Sequence, residues 1–341
     1  VSMIDTGDFM PVNPPRTRVF TASSCSVPLF SRDDPYVRFL LENRNRVFYM
    51  KPWDGNSGDD LIWLGTEYLL DSLHLSRTLD PRAADVILIP GGNQTMWWPN
   101  IDVWKEVWSR WPDKDFVVGP TTIYLGITNW DQDVRQSHAR VRAIFARDPE
   151  SYAILQTCGF DGDITTGLSH DPAVFLRDSE LIRAHKEAAT NDFVLATFRD
   201  DWEGTRPLRE RLGRWADLVP SCVQRRMDRH RRKKSRESKI AHVARRTRCT
   251  RPLRTCDVSN YPFPYFLEMV RSAAEVHTDR LHCMLLAVML GKPTFAYPTT
   301  YRKLEAVYEH SVKDWAHVEF VRDTLNLPAF VSTAHRVVRI V

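Results

Sequence analysis

Arg280 and His282 stand two residues apart at the head of an apolar run, Cys283 to Leu290. Asp279 is a candidate N-cap, residues 280–290 are nearly all good helix formers, Gly291 suits the left-handed position after a helix, and Pro293 stops further helix. Such a helix is apolar on every side and is expected to be buried. Its N-terminus presents unpaired N–H groups and positive potential, to which an arginine adds a forked donor matched to phosphate or carboxylate oxygens. The first turn therefore reads as an anion site, with His282 as a group able to give or take a proton near neutral pH. The competing reading is structural: Arg280 pairs with a local carboxylate and His282 is a satisfied core histidine.

A second constellation is Gly55-Asn56-Ser57-Gly58-Asp59-Asp60. It lies between an apolar run of strand length and a helical pattern, where glycines let a ligand approach the backbone and helix N–H groups can face it. Asn56 and Asp59 have the chemistry to bond sugar hydroxyls; an ordinary capped turn explains them equally.

Both constellations need a scaffold. Val47-Phe48-Tyr49-Met50, Val86-Ile87-Leu88-Ile89, Phe116-Val117-Val118 and Ala143-Ile144-Phe145-Ala146 are short apolar runs, each entering a turn. Helical stretches are expected from Leu61, over 101–111 and over 132–142. A second series begins at 193–197 and continues through 275–278 and 294–297. Strands alternating with helices predict an α/β fold with parallel sheets, here two Rossmann-like domains facing across a cleft that strand carboxyl ends would line. The expected division is an irregular leader over 1–40, a first domain over 41–185, a second over 186–325, and a tail over 326–341. No internal sequence repeat is visible.

The stretch Thr278-Asp279-Arg280-Leu281-His282, its apolar helix ending Gly291-Lys292-Pro293, and Lys303-Leu304-Glu305-Ala306 resemble the polysaccharide pyruvyl transferase family. Gly55 to Asp60, Arg147-Asp148 with Ser151, and His170-Asp171-Pro172-Ala173 resemble further family motifs in the same order. The resemblance implies a GT-B-like fold, phosphoenolpyruvate as donor, no cofactor, no metal, and a glycan or lipid-linked oligosaccharide as acceptor, with a cyclic pyruvate ketal as product. It implies that Arg280 and Leu281 contact the donor and that His282 acts as acid or base. A donor with both phosphate and carboxylate needs further cations; Arg199, after the run 193–198, is the first choice and Lys303 the second, although Arg199 would equally pair with Asp200 or Asp201. Asn56, Gly58 and Asp59 fall on the acceptor side.

The resemblance leaves one segment unexplained. Residues 221–256 hold fourteen Lys or Arg against two Asp or Glu, a net +12, whereas the rest of the chain nets −8. This reads as a solvated basic insertion able to meet an anionic membrane surface. It has no aromatic residue for stacking bases, so nucleic acid is the disfavoured partner. The alternative enzyme class is a GT-B-type nucleotide-sugar glycosyltransferase, for which Asp161-Gly162-Asp163 supplies a D-x-D pattern, itself equally an ordinary turn. Most of the eleven tryptophans are expected in the core, with Trp97-Trp98 a candidate for stacking on sugar faces. Six scattered cysteines without a C-x-x-C pair fit a reducing compartment. The expected location is the cytoplasm, in association with a membrane, or the Golgi lumen if an anchor precedes Val1.

Overall fold

A computed structural model describes residues 31–322, except 53–54, 94–97, 125–129, 137–139, 161, 163, 202–214, 216–217, 248–250 and 300–301; at 98–103 it describes the backbone alone. The first sheet contains β1 (Val47–Met50), β2 (Ser76–Arg77), β3 (Val86–Ile89), β4 (Asp115–Thr121), β5 (Arg140–Ala146) and β6 (Thr165–Leu168). The second contains β7 (Phe193–Thr197), β8 (Leu253–Thr255), β9 (Ala273–Thr278), β10 (Thr294–Ala296) and β11 (Val318–Phe320). All ladder pairings are parallel. The strand orders are β2-β1-β3-β4-β5-β6 and β11-β10-β9-β7-β8. Renumbered from its own first strand, the second sheet has the order 2-1-3-4-5, which the first repeats with one strand added. The fold is thus α/β with two Rossmann-like parallel sheets, and the halves share a topology that their sequences do not reveal.

The helices are α1 (Pro35–Glu42), α2 (Ser57–Ser72), α3 (Trp98–Arg110), α4 (Trp130–Gln136), α5 (Pro149–Thr157), α6 (Glu180–Glu187), α7 (Ser221–Arg246), α8 (Phe263–Arg271), α9 (Leu281–Met289) and α10 (Lys303–Val307). Because successive strand residues point to opposite faces, each sheet has two apolar layers. Val86 and Leu88 pack towards α1 and α2, whereas Ile87 and Ile89 pack with Trp104, Trp108 and Trp130 on the other face. In the second sheet Phe193 and Leu195 face the layer of α8 and α9, while Val194 and Ala196 face Val243 of α7. Leu61 of α2 and Ala173, Val174, Leu176 and Ile182 join the layer of α8 and α9, so an apolar seam connects the two halves.

Four expectations are corrected. Residues 35–42 form α1 rather than irregular leader, because Asp34 accepts from the N–H groups of Tyr36 and Val37, Pro35 opens the helix, and Tyr36, Val37, Phe39 and Leu40 are buried. The helix expected over 132–142 ends at Gln136; Arg140 already belongs to β5, where paired Val141 and Ala143 are buried. The basic stretch is not all insertion: 221–246 is one long helix, and Leu253–Thr255 is an edge strand paired with β7, with Arg254 lying over the Phe193 ring. Finally, Arg280 rather than Asp279 occupies the cap position of α9, since both oxygens of Asp279 are engaged elsewhere. Gly291, at φ +71°, follows α9 as expected. Residues 1–30, 326–341, Trp53, Trp97, Asp161, Asp163, Cys25 and Cys249 lie outside the described residues.

Candidate active site

In an open parallel sheet, the crevice for a ligand lies beyond the strand carboxyl ends where the strand order reverses. In the second sheet that point falls between β7 and β9. Arg199 comes two residues after β7, and Asp279 and Arg280 directly follow β9. Asp279 braces the crevice from below: Oδ1 accepts from the Arg199 N–H at 2.8 Å and Oδ2 from Lys239 Nζ at 2.5 Å.

Three of the expected donor cations gather above it around Asp201. Arg199 donates to both Asp201 oxygens, at 2.9 and 3.0 Å. Arg280 reaches Asp201 at 3.1 Å, while its Nε donates to Asp257 at 3.0 Å and a terminal nitrogen donates to the other Asp257 oxygen. Burial works to raise the Asp201 pKa, but the charges of Arg199, Arg280 and Lys303 win and hold it below its ordinary value. Arg280 therefore bears the carboxylate pairing that the structural reading anticipated, and it does so in the same cluster as Arg199 and Lys303. Leu281 is buried under the crevice in the layer of α8 and α9.

His282, one residue further, meets the first half of the chain. Its Nε2 is buried, 3.4 Å from Asp171 Oδ2. Asp171 is held in turn by Arg147, whose NH1 donates to Oδ2 at 2.6 Å. Arg147 is fixed by two more acceptors, Thr122 Oγ1 at 2.9 Å and Asn93 Oδ1 at 2.8 Å, and is only 1% exposed. Burial would raise the Asp171 pKa, yet His282 and Arg147 together drive it far below the ordinary carboxylate range. Arg147 follows β5 and Asp171 comes soon after its neighbour β6.

The other edge of the ring faces α2. A Cβ placed on Gly58 would lie 2.3 Å from His282 Nδ1, so only glycine admits the imidazole there. Asn56 and Asp59 close a reciprocal cap on α2: Asn56 Oδ1 accepts from Gly58 N–H at 2.8 Å, and Asp59 Oδ2 accepts from Asn56 N–H at 2.9 Å. Ser57 Oγ donates to the Tyr261 carbonyl, joining α2 to the segment that carries Asp257. His282 thus sits between the N-termini of α2 and α9, with positive backbone potential on both sides.

The structure brings Arg199, Arg280, Leu281 and Lys303 to one crevice and sets Gly58 against His282. It engages Asn56 and Asp59 with each other in the capping box. Sequence reasoning assigned no role to Arg147, Asp171 or Asp257; Asp201 is the structural partner that it offered Arg199, and the two are paired. For Arg147 the signal was present, since it stands just beyond an apolar strand. Among the described residues no group of three or more His, Cys, Asp or Glu is arranged to hold a metal ion, and no helix is long and apolar enough to cross a membrane.

The family model described as polysaccharide pyruvyl transferase matches residues 56–301, a span from the α2 cap to just before Lys303 that encloses His282 and both of its flanks. The chain belongs to the polysaccharide pyruvyl transferase family. It is a transferase of polysaccharide biosynthesis. Among solved structures, a functionally uncharacterised protein of Klebsiella pneumoniae is 19% identical with a TM-score of 0.55, over 84% of this chain and 97% of that one, a likeness of fold alone. A UDP-GlcNAc 2-epimerase of Methanocaldococcus jannaschii, in complex with UDP-GlcNAc and UDP, is more distant, at 11% identity and a TM-score of 0.34 over 81% of this chain and 88% of that one. No curated protein matches the chain.

Proposed function

We propose that this pyruvyl transferase takes its group from phosphoenolpyruvate and joins it, as a cyclic ketal, to two hydroxyls of one sugar in a glycan or lipid-linked oligosaccharide. The observation that carries this reading is that His282, between two helix N-termini, stands two residues from Arg280, which clusters with Arg199 and Lys303 around Asp201. That much positive potential around one proton-carrying group suits a small donor with both phosphate and carboxylate. Nε2 is buried beside Asp171, and Nδ1, on the edge that borders Gly58, is the nitrogen assigned to the substrate.

Protonation of the donor's methylene carbon by His282 makes it a methyl group and leaves C2 as an oxocarbenium centre. One acceptor hydroxyl adds to C2 and gives up its proton, restoring the imidazolium. The C2–O bond to phosphate then breaks; phosphate departs with the bonding pair, and the second hydroxyl closes the ketal while its proton leaves with phosphate. Two hydroxyl protons are lost, one replacing that given to carbon and one accompanying phosphate. Arg199, Arg280 and Lys303 hold the anion, with Asp201 giving up part of its hold on them. Asp171, locked by Arg147, is the positioning residue for His282. The acceptor approaches from the side of Asn56, Gly58 and Asp59, at the mouth of the first sheet. The same reading has the protein working in the cytoplasm at an anionic membrane, with α7 as the element that meets it.

The test is incubation with phosphoenolpyruvate and a panel of galactosides, mannosides and N-acetylmannosamine glycosides, following phosphate release and product mass. Ketal formation by wild type and its loss in His282→Ala are expected. Phosphoenolpyruvate that neither binds nor turns over would overturn the donor assignment; transfer of a sugar from a nucleotide sugar would replace it with the glycosyltransferase reading.

A further inference from the structure

Helix α7 runs for 26 residues, and its two faces differ. Inward, Lys239 is buried against Asp279 and Val243 packs into the second sheet, so its C-terminal half is bolted to the base of the donor crevice. Outward, Val223, Arg226, Met227, His230, Lys233, Lys234 and Glu237 recur at helical spacing and are all exposed. Glu237 is the one acid among them. Seven large apolar side chains are exposed among the described residues, and four lie within 215–227: Trp215 (63%), Leu218 (75%), Val223 (42%) and Met227 (44%). Apolar side chains grouped beside a dense basic face are out of place on a surface that meets only water.

We propose that this surface docks on an anionic lipid bilayer. The cations of α7 lie among lipid phosphates, and Trp215, Leu218, Val223 and Met227 enter the boundary between headgroups and acyl chains. Tryptophan is suited to that boundary by its apolar body and polar N–H. A nucleic acid would use the charge and could stack on Trp215, but would leave Leu218, Val223 and Met227 without a role. An acidic polysaccharide leaves the apolar group unexplained in the same way. Because Lys239 ties α7 to Asp279, docking sets the donor crevice at a fixed attitude to the membrane. Resting on the transfer reading above, a lipid-linked acceptor is the kind that this attitude would bring to the crevice.

The experiment sediments the full-length protein with vesicles of phosphatidylcholine alone, or with roughly one-third phosphatidylserine, at low and high salt. Wild type is expected to bind only the anionic vesicles, and less at high salt. Arg226→Gln/Lys233→Gln/Lys234→Gln should lower the partition about a hundredfold. Val223→Ser/Met227→Ser should lower it about tenfold. These side chains are exposed, so thermal unfolding and turnover of a soluble acceptor should be unchanged in both variants. Equal binding to neutral vesicles, wild-type binding by either variant, or displacement of vesicles by single-stranded RNA would overturn the proposal. No step requires phosphoenolpyruvate, so docking and pyruvyl transfer can fail independently.

Discussion

The two sheets share a strand order but line their switch points differently. Beyond β7 and β9 stand Arg199, Asp201, Asp279 and Arg280, a crevice of charges in which both arginines are largely buried and paired with Asp201 above a braced Asp279. Beyond β1 and β3 stand a capping box, a glycine that yields its space to His282, and Asn93, which serves Arg147. The same topology thus supplies two equivalent crevices, and side-chain chemistry gives them different work. On the function proposed above, the second holds the donor anion, whereas the first shapes and steadies the histidine.

The largest effect should come from the buried lock of the first half. Arg147→Met leaves Asp171 as a buried carboxylate without its main partner, which costs about 3–5 kcal/mol and should appear as a marked fall in the thermal midpoint. Next is Gly58→Val, whose side chain must displace the His282 ring. Turnover should fall at least about a hundredfold, some 2.7 kcal/mol of barrier, while circular dichroism stays that of the folded protein. Normal turnover in Gly58→Val would show that His282 does not need its observed position.

A pH effect comes third, at the join of the halves. His170 stacks on His310 at 4.8 Å and its Nδ1 lies 3.0 Å from Ser311 Oγ. Burial, with smaller contributions from His310 and Arg177, pushes its pKa down to about 4 from 6.5. The folded protein then binds fewer protons than the unfolded chain below pH 6.5. Stability from this group is full above that value and is lost as pH falls towards 4, by about 2–3 kcal/mol. Denaturant melts across this range should fall with pH, and His170→Asn should flatten that part of the curve. The smallest effect belongs to Asn56→Ala, which removes the α2 cap at about 1 kcal/mol and leaves donor affinity alone.

Much of this arrangement was legible beforehand. β1, β3 and β7 have the bounds their apolar runs predicted, and α9 with Gly291 follows from helix formers and a terminal glycine. The gathering of Arg199, Arg280 and Lys303 around Asp201 was expected only through the family resemblance, from the charge that its donor needs. Edge strands β2, β6, β8 and β11 were missed: two to four residues carry little periodicity, and their pairing comes from neighbouring strands. The role of Gly58 was missed because a glycine in a turn looks conformational, whereas here its use is steric and its partner lies 224 positions away. Asp171 was seen as part of a motif but given no task, since nothing local indicates that Arg147 and His282 converge on it from two different elements.

Phosphoenolpyruvate titration by calorimetry, on wild type, Arg199→Gln and Asn56→Ala, tests most directly whether the donor belongs to the second crevice. Wild type and Asn56→Ala should bind alike, and Arg199→Gln should lose at least about tenfold, the worth of one charge-assisted pair. Unchanged affinity in Arg199→Gln, or an equal loss in Asn56→Ala, would contradict the assignment of the donor to the crevice between β7 and β9.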